Sequence, residues 1–226
     1  MDTKKRKTLS IVAIAIIALT LVTTTYAYFS AQGGSSTIQN ISVTSNTTDN
    51  LSFSISNDIS FRVTQADLAS GGNNKSGNST ATAILTPNNK TGAATMNYYI
   101  YLNLTENGIV YSSTNTTNQP ELIVQVFDSN NQLVTLTGLG EQKTVKGVTG
   151  YDITGRLGLI PLLDNHEISA SNNIAETETW HIVVTMINLD VDQNDNTNKT
   201  VSGEIIVRKD QQLDSPRLAV TVPQTS

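Results

Sequence analysis

The chain contains no cysteine. That excludes disulfides, thiolate nucleophiles, iron–sulfur clusters and cysteine-ligated zinc. Histidine is nearly as scarce, with two residues, His166 and His181. Aromatic residues make up 5% and charged residues 15% of the chain, both low for a cytosolic enzyme. Basic residues are outnumbered by acidic ones, 14 against 19, for a net charge of −5. Four of the basic residues are Lys4, Lys5, Arg6 and Lys7, so the remainder is more acidic still. An acid excess of this kind excludes the basic face that nucleic-acid binding needs to displace counterions. With no covalent cross-links from cysteine, stability has to come from apolar burial and sheet hydrogen bonds. Abundant Asn, Thr and Ser favour turns and the solvent faces of strands over helix interiors.

The N-terminus has its own character. Met1–Lys7 is a short basic segment, and Leu9–Val22 (LSIVAIAIIALTLV) is apolar and without charge. Thr25 and Ala27 stand where a signal peptidase takes small residues, with cleavage falling between Ala27 and Tyr28. A second reading stands beside this one. Residues 9–29 give about 21 residues of helix, enough to span a ~30 Å hydrocarbon core as an uncleaved anchor. In either case the basic end stays cytoplasmic and the rest is exported. The absence of disulfides from an exported chain favours a bacterial source with a single membrane.

Beyond a flexible joint at Gln32–Ser36, period-2 alternation dominates. Leu51, Phe53 and Ile55 alternate with serines, and Ile59, Phe61 and Val63 resume the pattern. Residues 70–80 (SGGNNKSGNST) are expected to be a polar loop with no packing material. Strands are expected over Ala81–Leu85, Met96–Leu104, Leu122–Phe127, Ile168–Ala170, Glu178–Leu189 and Val201–Arg208. Asn107–Gly108 reads as a hairpin turn returning along Ile109–Tyr111, and Asn130–Asn131 as another turn. Gly138–Gly150 is expected to be irregular, and Tyr151–Leu163 to hold short extended pieces. Leu218–Val222 could form a last edge strand. Many short strands with turn signals and no amphipathic helix predict an all-β fold. The expected architecture is an antiparallel β-sandwich, jelly-roll-like, preceded by the N-terminal hydrophobic helix. Residues 1–30 form the signal or anchor, 31–210 the sandwich domain and 211–226 a polar tail.

Few residues suggest chemistry. A zinc protease of the common kind needs His-Glu-x-x-His on one helix face. Here His166-Glu167 is followed by Ile168, Ser169 and Ala170, so the second histidine is missing. Asp190, Asp192, Asn194 and Asn196 alternate oxygen side chains as a calcium loop does. The sixth and twelfth positions, Asp195 and Val201, depart from the EF-hand pattern, and a solvated hairpin loop explains the same residues. Asn-x-Ser/Thr triplets at Asn46, Asn78, Asn103, Asn115 and Asn198 are what chance gives in such a composition. Trp180, inside the longest apolar run of the exported part, is expected to pack in the core.

Thr25-Tyr26-Ala27-Tyr28-Phe29-Ser30 resembles the signature of bacterial proteins with a SipW-type signal peptide, a group that includes camelysin and the TasA biofilm fibre protein. Gly150–Ser169 and Glu178–Asp210 resemble uncharacterised surface proteins of gut Firmicutes. The resemblance implies export by a dedicated signal peptidase, a jelly-roll-like domain, and self-association through an N-terminal strand lent to a neighbouring subunit. The metalloprotease label attached to camelysin does not carry over, because the ligand set is missing. The expectation is a non-enzymatic structural protein of a Gram-positive cell surface or extracellular matrix. An adhesin with a calcium loop is the alternative, and a hydrolase the third reading.

Overall fold

The computed structural model describes residues 41–43, 49–88, 93–171 and 173–209. The hydrophobic segment 1–30 with Ala27 and Tyr28, the joint 32–36 and the tail 211–226 lie outside the described residues. The rest is all-β. Its strands are β1 (Ile41–Val43), β2 (Asn50–Ile55), β3 (Ile59–Arg62), β4 (Lys75–Thr86), β5 (Ala93–Asn107), β6 (Leu122–Phe127), β7 (Lys143–Val145), β8 (Val148–Asp152), β9 (Gly158–Ser171), β10 (Glu176–Met186) and β11 (Thr200–Arg208). The helical content among the described residues is one 3-10 turn, Asn194–Asn196.

Every pairing is antiparallel, and the main ones are nested. β6 pairs with β8, β5 with β9, β4 with β10 and β3 with β11. The chain thus forms one long hairpin of four strand pairs. Alternate pairs go to different sheets: β11 also pairs with β5, and β10 with β6. The result is a four-stranded sheet, β3-β11-β5-β9, and a seven-stranded sheet, β1-β2-β4-β10-β6-β8-β7.

The period-2 pattern decides which face each strand buries. β11 alternates without a break, burying Val201, Gly203, Ile205 and Val207. From the other sheet come Ala81, Ala83 and Leu85 of β4, Val124 and Val126 of β6, and Trp180, Ile182 and Val184 of β10. The two sheets share this one apolar cluster. A small second cluster lies apart from it, where Val145 and the half-buried Val148 meet Ile123, Ile187 and Leu189.

Four expectations change. The polar stretch 70–80 is not all loop, since Lys75–Thr80 begins β4 and pairs with β10 along its whole length. Its inner positions are small for lack of room: a Cβ on Gly77 would stand 3.0 Å from both Ile59 Cγ2 and Phe61 Cδ1. Asn107–Gly108 makes no hairpin. Asn107 instead donates to the carbonyls of Ile153 and Arg156 and accepts from Ile109 N–H. The glycine-punctuated stretch holds the β7–β8 hairpin, turning at Lys146 (φ 49°) and Gly147 (φ 80°), the positive-φ pair a tight hairpin demands. Finally, β9 runs unbroken through Pro161, which an edge strand tolerates because one row of its N–H groups has no partner strand.

Candidate functional site

At one end of the sheets the loop between β5 and β6 meets the loop between β10 and β11, and a buried polar hub joins them. Its centre is Glu121, 0% exposed, placed beside the first residue of β6. Oε1 accepts from Ser112 N–H at 2.6 Å and Asn115 Nδ2 at 3.0 Å. Oε2 accepts from Ser112 Oγ at 2.8 Å, Gln193 Nε2 at 2.6 Å and Asn196 Nδ2 at 2.7 Å. All five contacts are donors, matching a side chain that only accepts. Burying a carboxylate costs several kcal/mol unless its lone pairs are met, on the order estimated for buried ions; here neutral donors meet them.

The donors are fixed in turn. Asn196 is also fully buried. Its Oδ1 accepts from Val110 N–H at 2.9 Å, and its Nδ2 donates to Val110 O at 2.8 Å. Gln193 accepts from Leu189 N–H at 2.7 Å and donates to Ile187 O at 3.1 Å. Thr154 Oγ1 accepts from the backbone N–H groups of Glu121 and Leu122. The carboxylate joins two loops far apart in sequence, and Thr154 fastens the backbone beside it.

The calcium-loop residues fall on the rim of this hub with separate partners. Asp190 is ion-paired to Lys146 Nζ at 2.6 Å and accepts from Gly71 N–H at 3.1 Å. The Lys146 hydrogen bond holds its carboxyl below the usual range. Asp192 Oδ1 accepts from Asn194 N–H at 3.0 Å, and its backbone oxygen accepts from Thr114 Oγ1. Asp195 accepts from Ser113 N–H at 2.8 Å, which lowers its carboxyl likewise. Asn196 turns inward to Glu121. Asp190, Asp192 and Asn196 each hold separate partners, and their oxygens fasten the loop to its surroundings.

A second cluster bridges the two sheets. Tyr98 (β5) donates to Glu178 Oε2 (β10) at 2.6 Å and accepts from Trp180 Nε1 at 2.7 Å. His166 (β9) stands 3.1 Å from the same Oε2. The His166 ring packs edge-on to Trp180 and Tyr98, with centroids 4.9 and 5.3 Å apart. Burial, then the bond to Glu178, pushes the Tyr98 phenol well above its ordinary range. Burial also acts to raise Glu178, but the hydrogen bonds from His166 and Tyr98 outweigh it and hold the carboxyl low. Trp180 is thus in the core, as expected, with its N–H satisfied. The two histidines are not brought together: His181 is exposed on β10, where Nδ1 lies 3.2 Å from Thr80 Oγ1.

The sheet edges form the third feature. β9 carries Pro161, Asp164, Glu167 and a positive φ at Asn165 (52°), devices that blunt an edge against pairing. β3 is four residues long and ends in Arg62; β7 is three long and begins with Lys143. The fourth edge differs. β1 pairs with β2 through three residues, Ile41, Ser42 and Val43 opposite Phe53, Ser52 and Leu51. Neither strand holds a charge or a proline.

No family model and no curated protein matches the chain. Among solved structures, a GH31 α-xylosidase from Xanthomonas citri is similar at 10% identity, over 77% of this chain and 18% of the xylosidase, with a TM-score of 0.20. The chain thus spans under a fifth of that enzyme's length, and a likeness at this level carries no argument about fold or activity.

Proposed function

We propose that this is an exported structural protein of a Gram-positive cell surface or extracellular matrix, without enzymatic activity, that self-associates by N-terminal strand addition. The observation that carries the reading is the contrast among the sheet edges. Three are blunted by charge, proline or a kinked backbone, while the β1–β2 edge, among the described residues, carries neither charge nor proline. A bare edge offers backbone donors and acceptors to another strand. It is also the edge at which the N-terminal part of the chain joins the fold.

The fold reading behind it is a jelly-roll sandwich. Nested pairing of β3–β11, β4–β10, β5–β9 and β6–β8 supports it, with β1, β2 and β7 as additions at the margins. Export rests on the basic and apolar segment 1–30 and its Ala27–Tyr28 junction, released by signal peptidase or kept as a membrane anchor through residues 9–29.

The test uses protein beginning at Tyr28. Sedimentation is expected to show concentration-dependent assembly, and negative-stain microscopy extended particles. Ser54→Lys, which places a charge on the half-buried outer face of β2, is expected to weaken assembly without unfolding the domain. A monomer at every concentration would overturn the proposal.

A further inference from the structure

The Glu121 hub holds, out of water, the three groups an acyl transfer needs. Ser112, 3% exposed, carries a hydroxyl whose proton points at Glu121 Oε2, 2.8 Å away. That distance is within reach for a general base. Asn196, 0% exposed, offers a carboxamide whose nitrogen lies 3.2 Å from Ser112 Oγ and 2.7 Å from the same Oε2. Its carbonyl oxygen accepts the Val110 N–H at 2.9 Å, so a donor already stands where negative charge would develop. One carboxylate oxygen therefore touches both the nucleophile's proton and the leaving nitrogen.

We infer that Ser112 and Asn196 form an internal ester cross-link, with Glu121 as the proton shuttle. Ser112 Oγ attacks Asn196 Cγ while its proton passes to Glu121 Oε2. The tetrahedral carbon collapses by breaking its bond to Nδ2, which takes that proton and leaves as ammonia. The carboxylate is regenerated, the serine hydroxyl and the amide become an aspartyl ester, and no oxidant or other reactant is needed. The attack requires the Asn196 amide to turn about its Cβ–Cγ bond, giving up the Nδ2 bond to Val110 O, so that the face of Cγ rather than the Nδ2 edge is presented to Oγ. Burial serves twice: holding the groups in contact supplies the proximity a slow amide needs, and excluding water spares the ester from hydrolysis. The bond would tie the β5–β6 connection to the β10–β11 connection at one end of the sheets. In a chain without cysteine it would be a covalent staple closing a long loop, which is where such a link constrains the unfolded chain most.

Intact mass of the purified folded protein tests this. The expected mass is one ammonia below that of the sequence, with a proteolytic fragment joining a Ser112 peptide to an Asn196 peptide. Ser112→Ala and Glu121→Gln are each expected to restore the full mass and give separate peptides. Ser112→Ala removes little volume, so its fold is checked directly by circular dichroism. Hydroxylamine, which cleaves esters, is expected to separate the joined peptides after denaturation. A folded wild-type protein at full mass, or an ammonia loss that persists in Ser112→Ala (a succinimide at a single asparagine), would overturn the cross-link.

Discussion

Tyr98→Phe removes one oxygen and leaves the ring, and the structure says what that oxygen does. It accepts the buried Trp180 Nε1–H and donates to Glu178. Without it, the indole N–H has no partner, at about 1–3 kcal/mol for an unsatisfied buried donor. Glu178 keeps His166 and is a quarter exposed, so its loss is smaller, about 1 kcal/mol for a neutral donor replaced by water. The ring's packing against Phe53 and His166 survives. The total is about 2–4 kcal/mol, a large share of the roughly 5–15 kcal/mol that holds a domain together. At about 2–4 °C per kcal/mol for a domain of this size, Tm falls by roughly 5–15 °C. Urea unfolding followed by far-ultraviolet circular dichroism gives the free energy directly. The mechanism has a sharper signature in a double-mutant cycle. In a Trp180→Phe background there is no indole N–H to orphan, so adding Tyr98→Phe is expected to cost only the Glu178 part. A cost unchanged between the two backgrounds, or a single-mutant cost below about 0.5 kcal/mol, the usual noise of surface changes, refutes the reasoning.

Two further outcomes follow from the same structure. Glu178 titrates lower in the folded protein than in the unfolded chain, so its stabilising contribution is complete above the ordinary glutamate value and is lost as pH falls through the folded one. Glu178→Gln is therefore expected to flatten the acid side of a stability-against-pH profile, measured by urea midpoints across pH. At Gly150 a Cβ would stand 2.5 Å from Ile123 Cγ2 and 2.6 Å from the Val124 carbonyl oxygen, so Gly150→Ala forces β8 off β6 and is expected to cost about 3 kcal/mol or more. Gly140→Ala meets nothing within 4 Å but sits at φ +88°, so backbone strain alone, roughly 1–2 kcal/mol, is expected; equal midpoints for the two variants would show that the clash at Gly150 relaxes.

Strands whose inner positions are apolar were legible in the sequence. β2, β3, β6 and β11 follow their alternation closely, and β10 ends at Met186, three residues before its apolar run does. The segments that escaped share a physical reason: their inner faces are filled by something other than large hydrophobes. Lys75–Thr80 has Gly77 and Ser79 inward, the first tight under Ile59 and Phe61 and the second donating to Asn57 O at 2.5 Å. Alternation cannot be seen where the buried residue is glycine or serine. The β7–β8 hairpin did leave a signal, Lys146-Gly147 between short β-branched flanks. Glycine density masked it, although Gly147 is the residue that the turn requires.

The hub escaped for a different reason. Glu121 follows a proline in what reads as a loop end, and Gln193 and Asn196 lie 72 and 75 residues further on. Ser112 and Asn115 are near in sequence, but the donors of Gln193 and Asn196 arrive only when β10, paired to β6, delivers the next loop to the same end of the sheet. The alternating Asp and Asn of 190–198 were visible as a pattern, but pattern could not separate outward from inward oxygens. The fold does so by turning Asp190 Oδ2 to Lys146 at the surface and Asn196 Oδ1 to the Val110 N–H in the interior. These oxygens hold the loop at two points, one on the surface and one in the interior. That division fastens the loop at several points: Asp190, Asp192, Asp195 and Asn196 each accept from a backbone N–H.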